Sequence, residues 1–308
     1  MPKMKKIAVV TVNYNTEEDT KALLVSLEKI KTHNFSLCII VVDNGSKKVF
    51  TLDKKEEKQQ ITLIRLEDNT GFAGGYNIGI KEALKMGSEY VLIVNNDTIT
   101  DPDLVYKLVA ILENDPEIGI TVPKIYFSKG REFHKNKYTE KDLGKVFWYA
   151  GGYTDWNNIK SIHRGVDEID RGQYDSNEEI DFATGCCILF RKEIFEKVGF
   201  FDERFFLYFE DADLSERIKK AGYKIYYVPA AVLYHNNASS SGGAGNKLQD
   251  YFITRNQMLF GMKYAPMRSK IALIRQSLHL LIDGRPYQKK AIRDFYLGRL
   301  GKGTFFKI

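Results

Sequence analysis

Three apolar runs in this chain each break off into side chains able to hold a ligand. IAVVTV (Ile7–Val12) leads into Asn13-Tyr14-Asn15, LCIIVV (Leu37–Val42) into Asp43-Asn44-Gly45-Ser46, and VLIV (Val91–Val94) into Asn95-Asn96-Asp97. Short unbroken apolar runs that end in polar residues read as buried strands of a parallel sheet. Between the first two, Ala22, Leu23, Ser26, Leu27 and Ile30 fall on one helical face, which predicts a helix over 16–31 and a right-handed β–α–β crossover. Ligands of open α/β sheets gather at the carboxyl ends of the strands. Asp97 therefore stands where a carboxylate can hold a hard divalent cation against phosphate oxygens. The same letters also suit a plain polar turn, with Pro102 and Asp103 opening the next helix.

The pattern continues with a strand at Ile61–Leu66 and a glycine-rich stretch, Asn69–Gly79, opening a helix that runs to Met86. Glycines there either let the backbone approach a ligand or let the helix pack closely. Their spacing is neither the dinucleotide fingerprint nor a P-loop. A helix over 102–114 and a strand over 118–126 follow, then a polar region, 128–178, read as an insertion over the sheet edge that lines an acceptor site. IDFATGCCILFR (Ile180–Arg191) predicts a strand interrupted at Gly185, before a short helix over 192–198. In FFLYFEDADLSERIKK (Phe205–Lys220) an apolar run precedes Glu210, Asp211 and Asp213. Acidic residues in a helix's first turn are favoured by its dipole, whereas a partly desolvated carboxylate at that place suits a general base. Strands over 224–228 and 231–234 end at His235, Ser239–Gly245 is a flexible loop, and helices cover 248–264 and 269–282.

Charge is uneven. Residues 263–308 carry eleven Lys and Arg against two acidic residues, a surplus of nine that leaves the preceding part at −3 within a total of +6. A basic tail suits an anionic partner or a solvated helical surface. Ile271, Ile274, Leu278 and Leu281 share one helical face near Arg268 and Arg275, a pattern that fits an anionic membrane surface, the chain's own core or a dimer. Three cysteines (Cys38, Cys186, Cys187) make neither a disulfide framework nor a zinc pattern, which points to a reducing compartment. No apolar run reaches the roughly 20 residues of a membrane span. The expected location is cytoplasmic, or peripheral on the inner face of the cell membrane.

Taken together, TVNYN, VVDNGS, NTGFAGGYNIG, VNND, ATGCCILFR, FEDADL and the later YH resemble family-2 inverting glycosyltransferases, in particular the bacterial rhamnosyltransferase-like branch, over residues 7–263. The resemblance implies an α/β fold of the GT-A type, with a mainly parallel sheet flanked by helices. It divides the chain into a catalytic domain over 1–262 and a basic helical extension over 263–308. It also implies a UDP- or dTDP-sugar donor, a glycan or lipid-linked glycan acceptor, Mg2+ or Mn2+, and no nucleic acid partner. Carried over by position, Asn13 and Asn15 line the nucleoside, and Asp43 accepts from the base N–H. Asn69, Gly74 and Asn77 pass under ribose and diphosphate. Asn96 and Asp97 lie in the Asp-x-Asp metal motif, where Asn95 replaces the first aspartate of many relatives. His235 matches a late metal or diphosphate contact, Arg255 a phosphate contact, and Asp211 the catalytic base with Glu210 beside it.

The reaction implied is a single in-line displacement at the anomeric carbon. A sugar-1-phosphate nucleotidyltransferase would need a glycine-rich loop with a basic residue directly after the first strand, and TVNYN has neither. A catalytically inactive nucleotide-sugar-binding scaffold subunit is the non-enzyme alternative, and the presence of both Asp97 and Asp211 weighs against it.

Overall fold

The computed structural model describes residues 4–53, 60–134, 137–236 and 246–306. The loop expected at Ser239–Gly245 lies outside the described residues. The first crossover forms as the periodicity predicts. β1 (Lys5–Asn13) pairs in parallel with β2 (Phe35–Asn44), and α1 (Glu17–Leu27) joins them. β3 (Ile61–Leu66) adds outside β2, and β4 (Tyr90–Val94) adds on the other side of β1, both in parallel. Ile7–Val10, Ile40–Val42 and Val91–Val94 are all fully buried, which is why none of these strands alternates in sequence.

α2 (Gly71–Lys85) crosses this layer through its glycines. A Cβ on Gly79 would sit 2.3 Å from Val10 Cγ1, and one on Gly75 would sit 3.1 Å from the Asn44 amide. Close helix packing is therefore what these glycines provide.

The remainder of the sheet is mixed. After β5 (Thr98–Thr100) and α3 (Leu104–Asn114), the long β6 (Ile118–Phe127) does not pair with β4. β11 (Cys187–Arg191) lies between them, antiparallel to both. The sheet order is β10-β12-β6-β11-β4-β1-β2-β3, with β5 beside β12 and β7 (Phe147–Tyr149) beside β6. Parallel pairing is thus confined to β3-β2-β1-β4 and to β6 with β12. Within the insertion, β8 (Gly152–Asp155) and β9 (Lys160–His163) form a separate hairpin, and β10 (Glu178–Glu179) edges the main sheet.

Two strand expectations change. The strand predicted from Ile180 begins only at Cys187, because the preceding amides bond to side chains: Ala183 N to Ser215 Oγ and Gly185 N to Asp211. The two strands predicted before His235 are one, β12 (Lys224–His235), with a register shift between Val228 and Val232. Pro229, lacking an N–H, sits in that irregularity.

The C-terminal part holds three helices. α6 (Lys247–Tyr264) runs through the expected 262/263 division, and α7 (Met267–Asp283) follows it. α8 (Pro286–Tyr296) is a further helix, within the basic segment that follows. It starts with Pro286 in its first turn, and Gln288 Oε1 accepts from Arg285 N. α7 buries only Ser269, Leu273 and Ser277, while Leu280 and Leu281 are partly covered by neighbouring apolar residues. Met267, Ile271, Ile274, Leu278 and Ile282 are left exposed along one side. Among the described residues no helix is long and apolar enough to cross a membrane.

Candidate active site

The ends of β1 and β2 and the start of α1 enclose a cavity of about 460 Å³, lined by Asn13, Asn15, Thr16, Glu17, Glu18, Asp19, Lys47 and Lys48. Asn15 sits in the left-handed region (φ +58°), its side chain accepting from Lys47 N at 2.8 Å. It is exposed.

Asp43 behaves differently from expectation. It is fully buried, and both its oxygens are occupied: Oδ1 by Asn13 Nδ2 (3.0 Å) and Ser46 Oγ, Oδ2 by Phe50 N (2.9 Å) and Arg65 Nη1 (2.6 Å). Burial works against its charge, yet these donors hold its carboxyl below the usual range. With its acceptor positions filled, Asp43 fixes the cavity rim in place of meeting a base N–H. Asn13 is likewise internal, since its Oδ1 accepts from Thr20 Oγ1 at 3.0 Å.

The glycine-rich stretch is also used internally. Asn69 Oδ1 accepts from Gly71 N (2.8 Å) and Asn44 Nδ2 (3.2 Å). A Cβ on Gly74 would meet Thr70 Cβ at 2.7 Å. Asn77 is buried, bonded to both Phe201 N and Phe201 O, so it joins α2 to a distant loop and does not face a ribose. Asn44, which the motif reading passed over, is the hub here: its Oδ1 accepts from Thr70 N and Thr70 Oγ1, both at 2.9 Å. A buried amide that closes a strand and faces a helix start is the signal that marks it.

At the end of β4 the paired residues part company. Asn96 turns back to α1, donating to Thr16 Oγ1 (2.6 Å) and Thr20 Oγ1 (2.8 Å). Asp97 turns the other way, to His235 at the end of β12, with Oδ1 3.5 Å from Nε2. Asn236 N donates to Asp97 O at 2.8 Å and so holds the two strand ends together. Burial lowers the His235 pKa, opposed by the Asp97 charge, which favours the neutral imidazole. Trp148, from the insertion, stacks on His235 with ring centroids 4.5 Å apart. Asp19 is a further carboxylate whose pKa is raised, by burial first and then by Asp97.

No group of three His, Cys, Asp or Glu able to hold a metal occurs among the described residues. The Asp97–His235 pair nevertheless suits a divalent ion that takes its other ligands from phosphate and water. Neighbouring donors on an octahedral ion at about 2.1 Å stand about 3 Å apart. Closing from 3.5 Å to that spacing needs only side-chain adjustment.

Asp211 belongs to a different element. It is the second residue of α5 (Glu210–Lys220) and is half-buried. Its Oδ2 accepts from Gly185 N and its Oδ1 from Ala212 N, each at 2.9 Å. Gly185 is needed there: a Cβ would lie 2.8 Å from the Phe72 ring. The next residue, Cys186, accepts through its carbonyl from Asn95 N at 2.8 Å. One two-residue step thus ties the Asp211 carboxylate to the strand end that carries Asp97. Tyr76 fixes the same end by donating to Val94 O at 3.0 Å.

Burial raises the Asp211 pKa, with the Gly185 and Ala212 amides opposing. Glu210 is raised well above the usual range, by burial first and then by the Asp211 charge, and its Oε2 has no hydrogen-bond partner among the described residues. The shift favours the protonated form of Glu210, which makes Asp211 the better placed of the two to accept a proton.

Arg255 is not a phosphate contact in this arrangement. It is fully buried in α6, with its guanidinium on the carbonyls of Gly301 (2.6 Å) and Phe205 (2.9 Å).

The sequence model of the family "Glycosyl transferase family 2" matches residues 8–199. An N-acetylglucosaminyl-diphospho-decaprenol L-rhamnosyltransferase of Mycobacterium tuberculosis is 25% identical over 245 residues, spanning 77% of this chain and 78% of its own. A dTDP-rhamnosyl transferase, RfbF, of Shigella flexneri is 26% identical over 232 residues, 74% of this chain and 68% of its own. Among solved structures, GalNAc-T7 with UDP, GalNAc and Mn2+ superposes with a TM-score of 0.61 at 16% identity. That superposition covers 96% of this chain and 58% of that one, and at such identity it speaks for the GT-A fold alone.

Proposed function

The chain belongs to glycosyl transferase family 2, and on that premise we propose an inverting transferase that moves a sugar from a UDP- or dTDP-linked donor to a hydroxyl of a lipid-linked glycan in surface polysaccharide synthesis. The observation that carries this reading is the Asp211 carboxylate, held by Gly185 N and tied through Cys186 to the end of β4, beyond which Asp97 meets His235 of β12. Rhamnose is the sugar we favour, on the strength of the two rhamnosyltransferase relatives.

In this reading the nucleoside lies in the cavity between Asn15 and Lys47. Asp97 and His235 would hold Mg2+ or Mn2+, whose chemistry there is to neutralise charge on the diphosphate. Asp211 takes the proton from the acceptor hydroxyl as that oxygen attacks the anomeric carbon. A carboxylate raised by burial is a stronger base than a solvated one, while its two amide donors keep it ionisable and aimed. Holding donor and acceptor aligned removes much of the entropic part of the barrier. The exposed apolar side of α7, flanked by Arg268, Lys270 and Arg275, supports a resting place on an anionic lipid surface, where a lipid-linked acceptor would lie.

The test is nucleoside diphosphate release from UDP-, dTDP- and GDP-sugars, each with and without Mn2+, using a polyprenyl-diphosphate-linked N-acetylglucosamine acceptor. Acceptor-dependent release from one pyrimidine nucleotide sugar is expected. Absence of release and of diphosphate binding in folded protein would leave only a scaffold role.

A further inference from the structure

The chain makes an unusual turn directly before its base. Phe206, Tyr208 and Phe209 have φ of +66°, +70° and +73°, in the left-handed region that bulky side chains avoid. Such a run persists only if its surroundings over-determine it. Here every carbonyl from Arg204 to Tyr208 has a donor. Phe206 O accepts from Phe72 N (2.7 Å) at the start of α2. The other four are reached from α6. Arg255 Nη2 donates to Arg204 O (3.3 Å) and Phe205 O (2.9 Å). Asn256 Nδ2 shares its hydrogens among Phe205 O, Leu207 O and Tyr208 O, each at 2.8 Å. Arg255 Nε donates to Asn256 Oδ1 at 3.0 Å, which fixes which way the amide faces. Gly301 closes the arrangement, its N–H donating to Arg204 O at 2.8 Å and its carbonyl accepting from Arg255.

Resting on the function proposed above, we propose that Asn256 and Arg255 are positioning residues for Asp211. Phe209 is the last residue before α5, so its left-handed φ sets the direction in which the helix's first turn, and Asp211 with it, leaves the loop. If the turn relaxed toward right-handed values, Asp211 would swing away from Gly185 N while the sheet and the nucleotide cavity stayed in place. Neither residue touches substrate; each acts through the backbone of residues 204–208.

The experiment compares wild type with Asn256→Ala and the milder Arg255→Lys, which keeps the charge but loses the planar fork. Hydrogen exchange is followed by mass spectrometry on peptides covering 204–215 and on the β1, β2 and β4 peptides. UDP and dTDP binding is measured with Mn2+, and kcat and KM are measured with the nucleotide sugar that turns over. For Asn256→Ala we expect faster exchange confined to 204–212, nucleotide Kd within about twofold, and kcat down at least tenfold with KM little changed. Arg255→Lys should fall between. Unchanged kcat and exchange, or exchange rising equally through the sheet with loss of nucleotide binding, would overturn the proposal. So would failure of both variants to fold, since the pair would then be a requirement of the fold. The exchange arm needs no turnover, so an inactive wild type would count against the transferase reading while the arrangement of the turn is still measured.

Discussion

Asp211→Asn separates chemistry from folding. The amide keeps the side chain's size and loses its charge. Gly185 N–H still finds an oxygen, while the new NH2 group meets Ala212 N–H, so one of the two hydrogen bonds at 2.9 Å is lost. A positioned general base is worth about 10²–10⁴ in rate, or about 3–5 kcal/mol of barrier. Transfer should fall by that factor while UDP binding with Mn2+ stays within about twofold. The sign for stability is opposite. Burial raises the Asp211 carboxyl in the folded state, so the unfolded chain, titrating at about 4, gives up its proton first. Wild type therefore loses stability as pH climbs from the unfolded value through the folded one. The asparagine variant does not share that loss, though it forfeits about 1 kcal/mol for the missing bond. Its melting temperature relative to wild type should rise between pH 4 and pH 8. The assays are nucleoside diphosphate release and scanning calorimetry at those two pH values. Transfer within threefold of wild type would place the base elsewhere. A relative melting temperature that falls toward pH 8 would mean that burial does not penalise this carboxylate.

Asp97→Ala should abolish the Mn2+-dependent part of UDP binding in calorimetric titration; equal affinity with and without the ion in both proteins would refute the assignment. Asp43, whose carboxyl is held below its ordinary range despite burial, contributes stability that is present above the unfolded pKa and is lost as pH falls through the folded one. Asp43→Asn should accordingly be less stable than wild type at pH 7, with the gap closing in acid, as read by urea titration at pH 7 and pH 3. Ile274→Glu with Leu278→Glu should remove co-sedimentation with phosphatidylglycerol liposomes at low salt and leave soluble nucleotide binding unchanged. Absence of wild-type sedimentation would refute the lipid-surface proposal.

The strand-and-turn grammar at Ile7–Asn15, Leu37–Ser46 and Val91–Asp97 made the parallel half of the sheet readable, because buried strands show as unbroken apolar letters. The antiparallel insertion of β11 was not readable in that way. A run such as IDFATGCCILFR carries no mark that its first amides belong to Ser215 and Asp211 and not to a neighbouring strand. Asp97 is legible from its place after a strand, and His235 and Asp211 from the family motifs; Asp97 Oδ1 stands 3.5 Å from His235 Nε2, and Asp211 is tied to the same strand end through Gly185 and Cys186. Asn77, Asn96 and Arg255, carried over from the same resemblance, bond inward. The difference lies in direction. Spacing places a polar residue at the end of an element, but whether it faces the ligand or the backbone of another segment depends on contacts more than 40 residues away, such as Asn77 to Phe201. Asn256 was invisible for the same reason, since its partners lie at 205–208 and nothing around it in α6 signals them.

The bond between Gly301 and Arg204 has a consequence for the timing of synthesis. Ninety residues separate Asp211 from Gly301. At about 5–20 residues per second, a ribosome needs roughly 5–20 s to cross that interval. Within it the sheet gains its last strand, β12, by His235, but the turn ahead of the base still lacks its Gly301 donor. A nascent chain that has emerged only as far as α8 would lack this bond, so on the positioning role proposed for Arg255 and Asn256 the turn is completed only once Gly301 is available.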